Sequence, residues 1–483
     1  FAAVVGLLIA SAAGMERLRT VYPVVMEERS GDAPLILRIH YGLTLSLTKA
    51  SIASEMVRLR SYVNGTSIDK MVKASEIEET LFEDKTKLAT VSLVMGPDGV
   101  RVTGLLSPTE KIEPTMHGAR SVSGGLPHVV RSIQRPLGSK RVIFKSRKDN
   151  GFLKCTDKTM PTNVTVEVYV VSDYQHNRRF EESDFLIYIC IFMNSVNAIF
   201  MSLSCPDVRL ILVGAERTDE YQESNYVFGN DKLMNDLTSL DLFRKYALAK
   251  KADYGYPDIT LLLTGRDLYE STRRGSPDRR VAGIAYESAI CTDDSVAMTE
   301  DVPGSYSGVI DAAHELGHSM GASHDGSAPN ANLGNHPGSL DCPYNSGHIM
   351  TYVDGGALRY RFSECNKEEI RFVLRLRGKS CWDIKANQSY TVKGVYPGAL
   401  LTPQQYCRMR YKNNNMYSLM GEPLMSHCKM RCCMAFTSMN HKCALHHMLD
   451  YMRCGGKKVC FQGVCRQERD LRNRMTYSNR KRT

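Results

Sequence analysis

"DAAHELGHSMGASHDG", residues 311–326, holds three of the chain's 13 histidines, at spacings of four and then six. Two readings compete: an amphipathic helix with surface histidines, or a chelate that holds a metal against a substrate. In an α-helix, residues four apart share a face one turn above each other. His314 and His318 can therefore point ring nitrogens at one ion, with Glu315 alongside and turned toward whatever that ion binds. Gly321 has no Cβ, so it can take a positive φ, end the helix and swing the chain round for His324 to bring a third nitrogen. Three protein nitrogens leave a fourth tetrahedral position for water, the open arrangement of catalytic zinc, whereas structural zinc is closed by a fourth protein ligand. Zinc would bring the pKa of that water to roughly 7, and Glu315 would take its proton for attack on a peptide carbonyl.

The surroundings predict an α/β domain. "NVTVEVYVVSDY" reads as a buried strand, residues 179–202 as a helix, and "VRLILVGAE", "PDITLLLTG" and "RRVAGIAYES" as further strands before the histidine helix. Strands alternating with helices imply a largely parallel sheet. The run "FLIYICIFMNSVNAIFMSLSC" (185–205) approaches membrane-spanning length. Asn194 and Asn197 at its centre would be costly in lipid, so it is expected to be a buried helix, with no membrane span. Upstream, residues 15 to about 150 contain no cysteine, and "ATVSLVMGPDGVRVTGLL" reads as two strands around a Gly96-Pro97-Asp98-Gly99 turn.

The full "HELGHSMGASHD" resembles the metzincin zinc endopeptidases, and Asp325 directly after the third histidine resembles their reprolysin or adamalysin branch. The resemblance extends over residues 161–385 and implies a mixed, mostly parallel five-stranded sheet with helices. It implies that Met350 in "CPYNSGHIMTY" forms the Met-turn beneath the zinc, with Tyr352 on the metal side. Gly283, Ile284 and Ala285 match the edge strand that binds substrate backbone by β-addition. By position, Glu167, Asp258 and the Cys381 carbonyl match a structural calcium site. Ile384 stands where the family has an Asn ligand, with Asp383 or Asn387 as substitutes. The resemblance also implies disulfides Cys291–Cys381 and Cys342–Cys365. Cys190 and Cys205 flank the end of the long helix and are a further candidate bridge.

Fifteen cysteines, eight of them between Cys407 and Cys465, suggest an oxidising compartment and a small disulfide scaffold. If those eight pair among themselves, Cys155 is left over: a latency switch on the zinc, a partner in another disulfide, or a free thiol. "FLKCTDK" does not match the family's usual "PKMCG". "YPGALLTPQQYC" and "VCFQGVC" resemble the disintegrin-like module of thrombospondin-motif-bearing adamalysins. There is no Arg-Gly-Asp, and the lone Trp382 excludes Trp-rich thrombospondin repeats. The whole arrangement is similar to secreted salivary metalloproteases of blood-feeding arthropods such as ticks.

"FAAVVGLLIASAAG" is expected to be an N-terminally incomplete signal peptide (1–14). Sequons at Asn64, Asn163 and Asn387 fit secretion. A propeptide is assigned to 15–160, where the basic pairs Lys140-Arg141 and Arg147-Lys148 are either processing sites or ordinary linker. The zinc protease domain follows at 161–385, a disintegrin-like, cysteine-rich domain at 386–465, and a basic tail at 466–483. From Cys407 to Thr483 there are 16 Lys+Arg against 4 Asp+Glu, so that this end carries +12 of the chain's net +10 and the remainder is slightly acidic. Such a module either attracts acidic matrix or cell-surface glycans or is simply a solvated face; nucleic acid is not an expected partner. The function expected is a secreted zinc endopeptidase made as a zymogen and acting on extracellular proteins, with fibrinogen, fibrin or matrix proteins as implied substrates. The alternative is a non-catalytic extracellular binding protein using its basic module. Glu315 separates them, because a scaffold has no physical need for a carboxylate beside a zinc water.

Overall fold

The central sheet runs, edge to edge, Gly283–Ala285, Val296–Glu300, Ile259–Thr264, Asn163–Ser172, Asp207–Arg217, Ala53–Val63 and Thr66–Lys73. The four strands from Val296–Glu300 to Asp207–Arg217 pair in parallel, and Ala53–Val63 joins Asp207–Arg217 in parallel as well. The two outermost strands are antiparallel to their neighbours. The sheet is therefore seven-stranded: five strands come from residues 163–300, and a hairpin from the N-terminal region extends it. Sequence reading missed Val296–Glu300, a short strand buried along nearly its whole length and without the alternation that marks a half-exposed one.

Both faces of the sheet are covered, as a parallel sheet requires. Along Asn163–Ser172, Val164, Val166, Val168 and Val170 enter one core with the helices Glu182–Phe200 and Val309–Ser319. Tyr169 and Val171 enter the other, against Asp236–Ala249. The run suspected of membrane-spanning length is the helix Glu182–Phe200, and its amides are used inside the protein. Asn194 Nδ2 donates to Glu83 Oε2 (2.9 Å) and Thr90 Oγ1 (3.2 Å), and Asn197 Oδ1 accepts the Leu210 amide (2.8 Å). Among the described residues, no helix is long and apolar enough to cross a membrane.

This computed structural model describes residues 19–27, 35–133, 161–383 and 402–467, less short gaps at 64, 97–98, 116–119, 122–124, 272–276, 412–414, 422–423, 438–439, 449–451 and 462–463. The suspected signal segment, Asn64, both basic pairs, Cys155, Ile384, Asn387 and the tail beyond 467 lie outside the described residues.

Residues 19–132 add a nine-stranded sheet, in which the two strands expected to flank Gly96 and Gly99 pair as an antiparallel hairpin. At the other end, 402–467 carries two three-stranded sheets and a short helix, more regular structure than the sequence pattern suggested. Four disulfides pair its eight cysteines: Cys407–Cys432, Cys428–Cys460, Cys433–Cys443 and Cys454–Cys465.

Cys291–Cys381 and Cys342–Cys365 are formed as the resemblance implied. The candidate bridge Cys190–Cys205 is not. Cys190 is a fully buried free thiol in mid-helix. With helix rise of ~1.5 Å per residue it lies far beyond the ~7 Å Cα separation a disulfide tolerates from the loop holding Cys205.

Candidate metal centre

The helix Val309–Ser319 carries His314, Glu315 and His318, and its start is fixed by a buried polar network. Asp301, at the end of the strand Val296–Glu300, accepts the Gly308 amide (3.0 Å) and the Ser307 hydroxyl with Oδ1. Its Oδ2 meets His176 Nε2 (2.9 Å) and the Tyr188 hydroxyl. Gly308, the N-cap, has no side chain to do this work. The helix ends at Met320, and Gly321 takes φ +112° as expected. That glycine is also required for space, since a Cβ there would meet Val373 Cγ2 at 2.5 Å.

The turn brings His324 back onto the helix. The three imidazoles offer nitrogens all within 4.8 Å of one another, and ring centroids are 4.7 Å apart for His314–His318 and His318–His324 and 5.1 Å for His314–His324. His314 Nδ1 lies 2.7 Å from the Ile349 carbonyl and His318 Nδ1 2.7 Å from the Ala322 carbonyl. A carbonyl only accepts, so each Nδ1 carries the proton and each Nε2 keeps its lone pair. His314 Nε2 and His324 Nε2 then face each other at 3.1 Å. Burial lowers the pKa of all three rings, that of His318 to about 3. Neutral imidazoles with converging lone pairs are a donor set that suits zinc, and backbone carbonyls orienting them are the usual outer-shell support.

Met350 is fully buried under the helix, where a Cβ on Gly317 would stand 3.0 Å from its sulfur. Its carbonyl accepts the Asp325 amide (3.1 Å), which ties this loop to the residue after His324. Tyr352 stands against the chelate, its ring centroid 4.9 Å from that of His324 and 5.8 Å from that of His314. Asp325 is buried, accepts the Ser363 hydroxyl (2.6 Å), and has its carboxyl pushed up to about 7 by burial.

Glu315 is buried too, and burial, followed by the charge of Asp311, holds its carboxyl well above the ordinary carboxylate range. It lies directly against the edge strand Gly283–Ala285: a Cβ on Gly283 would be 2.6 Å from Glu315 Cγ and 2.8 Å from Oε1. A cleft of ≈460 Å³ opens beside the histidines, with Ala285, Glu287, His318, His324, Ala328 and Asn330 in its walls.

Of the residues expected to hold calcium, Asp258 and Glu167 are neighbours through the backbone of Glu167. Asp258 Oδ2 accepts the Glu167 amide (2.9 Å), and the Cys381 carbonyl lies 3.6 Å from the sulfur of Cys291. Among the described residues neither Glu167 nor Asp258 belongs to a cluster of three metal-ligating side chains. Sequence reasoning missed Glu287, Asn330 and the buried Ser323–Glu369 and Ser363–Asp325 pairs. The S-x-x-N pattern at Ser363–Asn366 was the one available signal, and it forms a capping box.

A model of the reprolysin-like M12B metallopeptidase family matches residues 186–325. Residues 186–325 thus form a reprolysin-like metallopeptidase domain. Among the relatives of this chain is a silkworm (Bombyx mori) protein named "a disintegrin and metalloproteinase with thrombospondin motifs like". It is 30% identical over 51% of this chain, which spans 37% of that relative's length. A venom metalloproteinase, antarease, from the scorpion Tityus serrulatus is 23% identical over 77% of this chain and 94% of its own. The mouse "disintegrin and metalloproteinase with thrombospondin motifs 12" is 26% identical over 73% of this chain and 22% of its own. Its match reaches beyond the histidine motif into the flanking regions.

Proposed function

We propose that this protein is a secreted zinc-dependent endopeptidase of the reprolysin kind, made as a zymogen, that hydrolyses extracellular proteins, with fibrinogen, fibrin or matrix proteins as first candidates. One observation carries the reading: two imidazoles are tethered through Nδ1 to backbone carbonyls, so that their Nε2 atoms converge with His324 on one point beside a buried carboxylate. Zinc held there would supply Lewis acidity toward a peptide carbonyl and lower the pKa of a water. Glu315 takes the proton of the attacking water and returns it to the leaving nitrogen. The free edge of Gly283–Ala285 accepts the substrate as an added strand, which places the scissile bond against Glu315. Export is supported by relatives named as venom proteins and by the disulfide-rich C-terminal region. The zymogen reading rests on the assignment of the N-terminal region as a propeptide, a region whose hairpin pairs with the central sheet.

Glu315→Ala is expected to bind zinc stoichiometrically and to lose at least ~10³-fold in kcat on a protein substrate. 1,10-Phenanthroline is expected to abolish wild-type turnover, and added zinc to restore it. Wild-type turnover by Glu315→Ala at unchanged metal content overturns the mechanism.

A further inference from the structure

The cleft beside the chelate is chemically lopsided. Among its described lining residues there is one carboxylate, Glu287, and no lysine or arginine. Asn330 Nδ2 donates to Glu287 Oε1 (3.2 Å), which aims the carboxylate and leaves Oε2 for a cation. The loop that carries Asn330 is held in place: the Asn330 amide lies 3.2 Å from His336 Nδ1, and the Ser339 amide donates to the Ser327 carbonyl (2.9 Å). Ala285 and Ala328 are small and leave room for a long side chain. Glu287 lies two residues beyond the edge strand, in the turn that follows it, and faces the same cleft as Ala285. A polypeptide added to that strand would therefore bring one of its alternate side chains past His318 and His324 to this carboxylate.

We infer that Glu287 is a specificity-determining residue that selects a basic side chain, Lys or Arg, of the polypeptide substrate. The inference rests on the endopeptidase reading and names what the cleft takes. A carboxylate held by a neutral amide gains a charge-assisted contact through its remaining oxygen from guanidinium or ammonium and only a neutral one from glutamine.

The test uses the full chain in its active form and a peptide set of fixed length, in which each position in turn is Arg, Gln or Glu. Ratios of kcat/KM are compared, so the overall level of activity drops out. At one position the wild type is expected to favour Arg over Gln by roughly tenfold. Glu287→Gln should bring that ratio toward one, and Glu287→Lys should favour Glu instead. The same peptides, fluorescently labelled, are then bound to Glu315→Ala and its Glu287 double variants, where anisotropy should show the same order without turnover. If the Glu287 variants keep the wild-type ranking in cleavage or in binding, Glu287 does not set specificity. A wild type that binds the peptides in the expected order but cuts none of them overturns the hydrolase reading alone.

Discussion

A methyl group at Gly283 would stand 2.6 Å from Glu315 Cγ and 3.0 Å from Cδ. The carboxylate cannot stay where it is: the end of the Glu315 side chain can swing aside, but it is the group that must meet water. Gly283→Ala is therefore expected to lower kcat/KM by ~10²-fold, the scale of a 1 Å misplacement, with zinc content and melting temperature close to wild type. Activity within a factor of two of wild type would show that Glu315 does not need this contact. The histidine spacing was legible because a helix converts i, i+4 into shared direction, and Gly321 was legible because few other residues turn there. Gly283 was expected on the edge strand for its backbone. Its contact with Glu315 joins two separate elements, and no local pattern encodes that.

The helix Glu364–Arg377 shows how an element remote from the zinc supports it. Ser363 is its N-cap, accepts the Asn366 amide (3.2 Å) and donates to Asp325 Oδ1 (2.6 Å), while Asp325 Oδ2 is buried without a hydrogen bond. Glu369, one turn into the helix, accepts the Ser323 amide (3.0 Å), so both neighbours of His324 are held by this helix. Cys342–Cys365 ties the same helix start to the segment leading into Met350. Removing the Ser363 hydroxyl loses a cap worth ~1 kcal/mol and takes a donor from a buried carboxylate, a further 1–2 kcal/mol or so. Ser363→Ala is expected to lower unfolding free energy in urea by about 2–3 kcal/mol and to weaken zinc binding, whereas Ser363→Thr keeps both. Unchanged zinc affinity in a measurably destabilised Ser363→Ala would mean that the cap holds only its own helix.

At the scale of the molecule, the strands and helices around the histidines were legible from apolar runs, but the partner of Asp207–Arg217 was not. That partner, Ala53–Val63, lies far away in sequence, and a parallel pair leaves no turn signal to announce it. Its attachment is more than a backbone ladder. The Tyr62 hydroxyl donates to Glu216 Oε1 (2.8 Å), a fully buried carboxylate that also accepts Lys250 Nζ (3.0 Å) and the Tyr246 and Tyr254 hydroxyls. Arg60 pairs with Asp69 in its own hairpin (2.7 Å) and with Asp253 (2.9 Å). Val57, Leu59, Ile77 and Leu81 share one apolar core with the helix that carries the histidines. Withdrawing the N-terminal region would expose that core, uncover Glu216 and leave Asp207–Arg217 as a bare sheet edge, a state proteins avoid. A cut in the connecting segment is thus not enough to separate the parts. A chain nicked at Lys140-Arg141 is expected to elute as one particle on gel filtration in native buffer, with both fragments in it by mass spectrometry. Arg60→Ala with Tyr62→Phe removes the polar attachment and should let the nicked fragments part at a lower urea concentration than in wild type. Immediate separation of the wild-type fragments in buffer would show that the seven-stranded sheet does not outlast the cut.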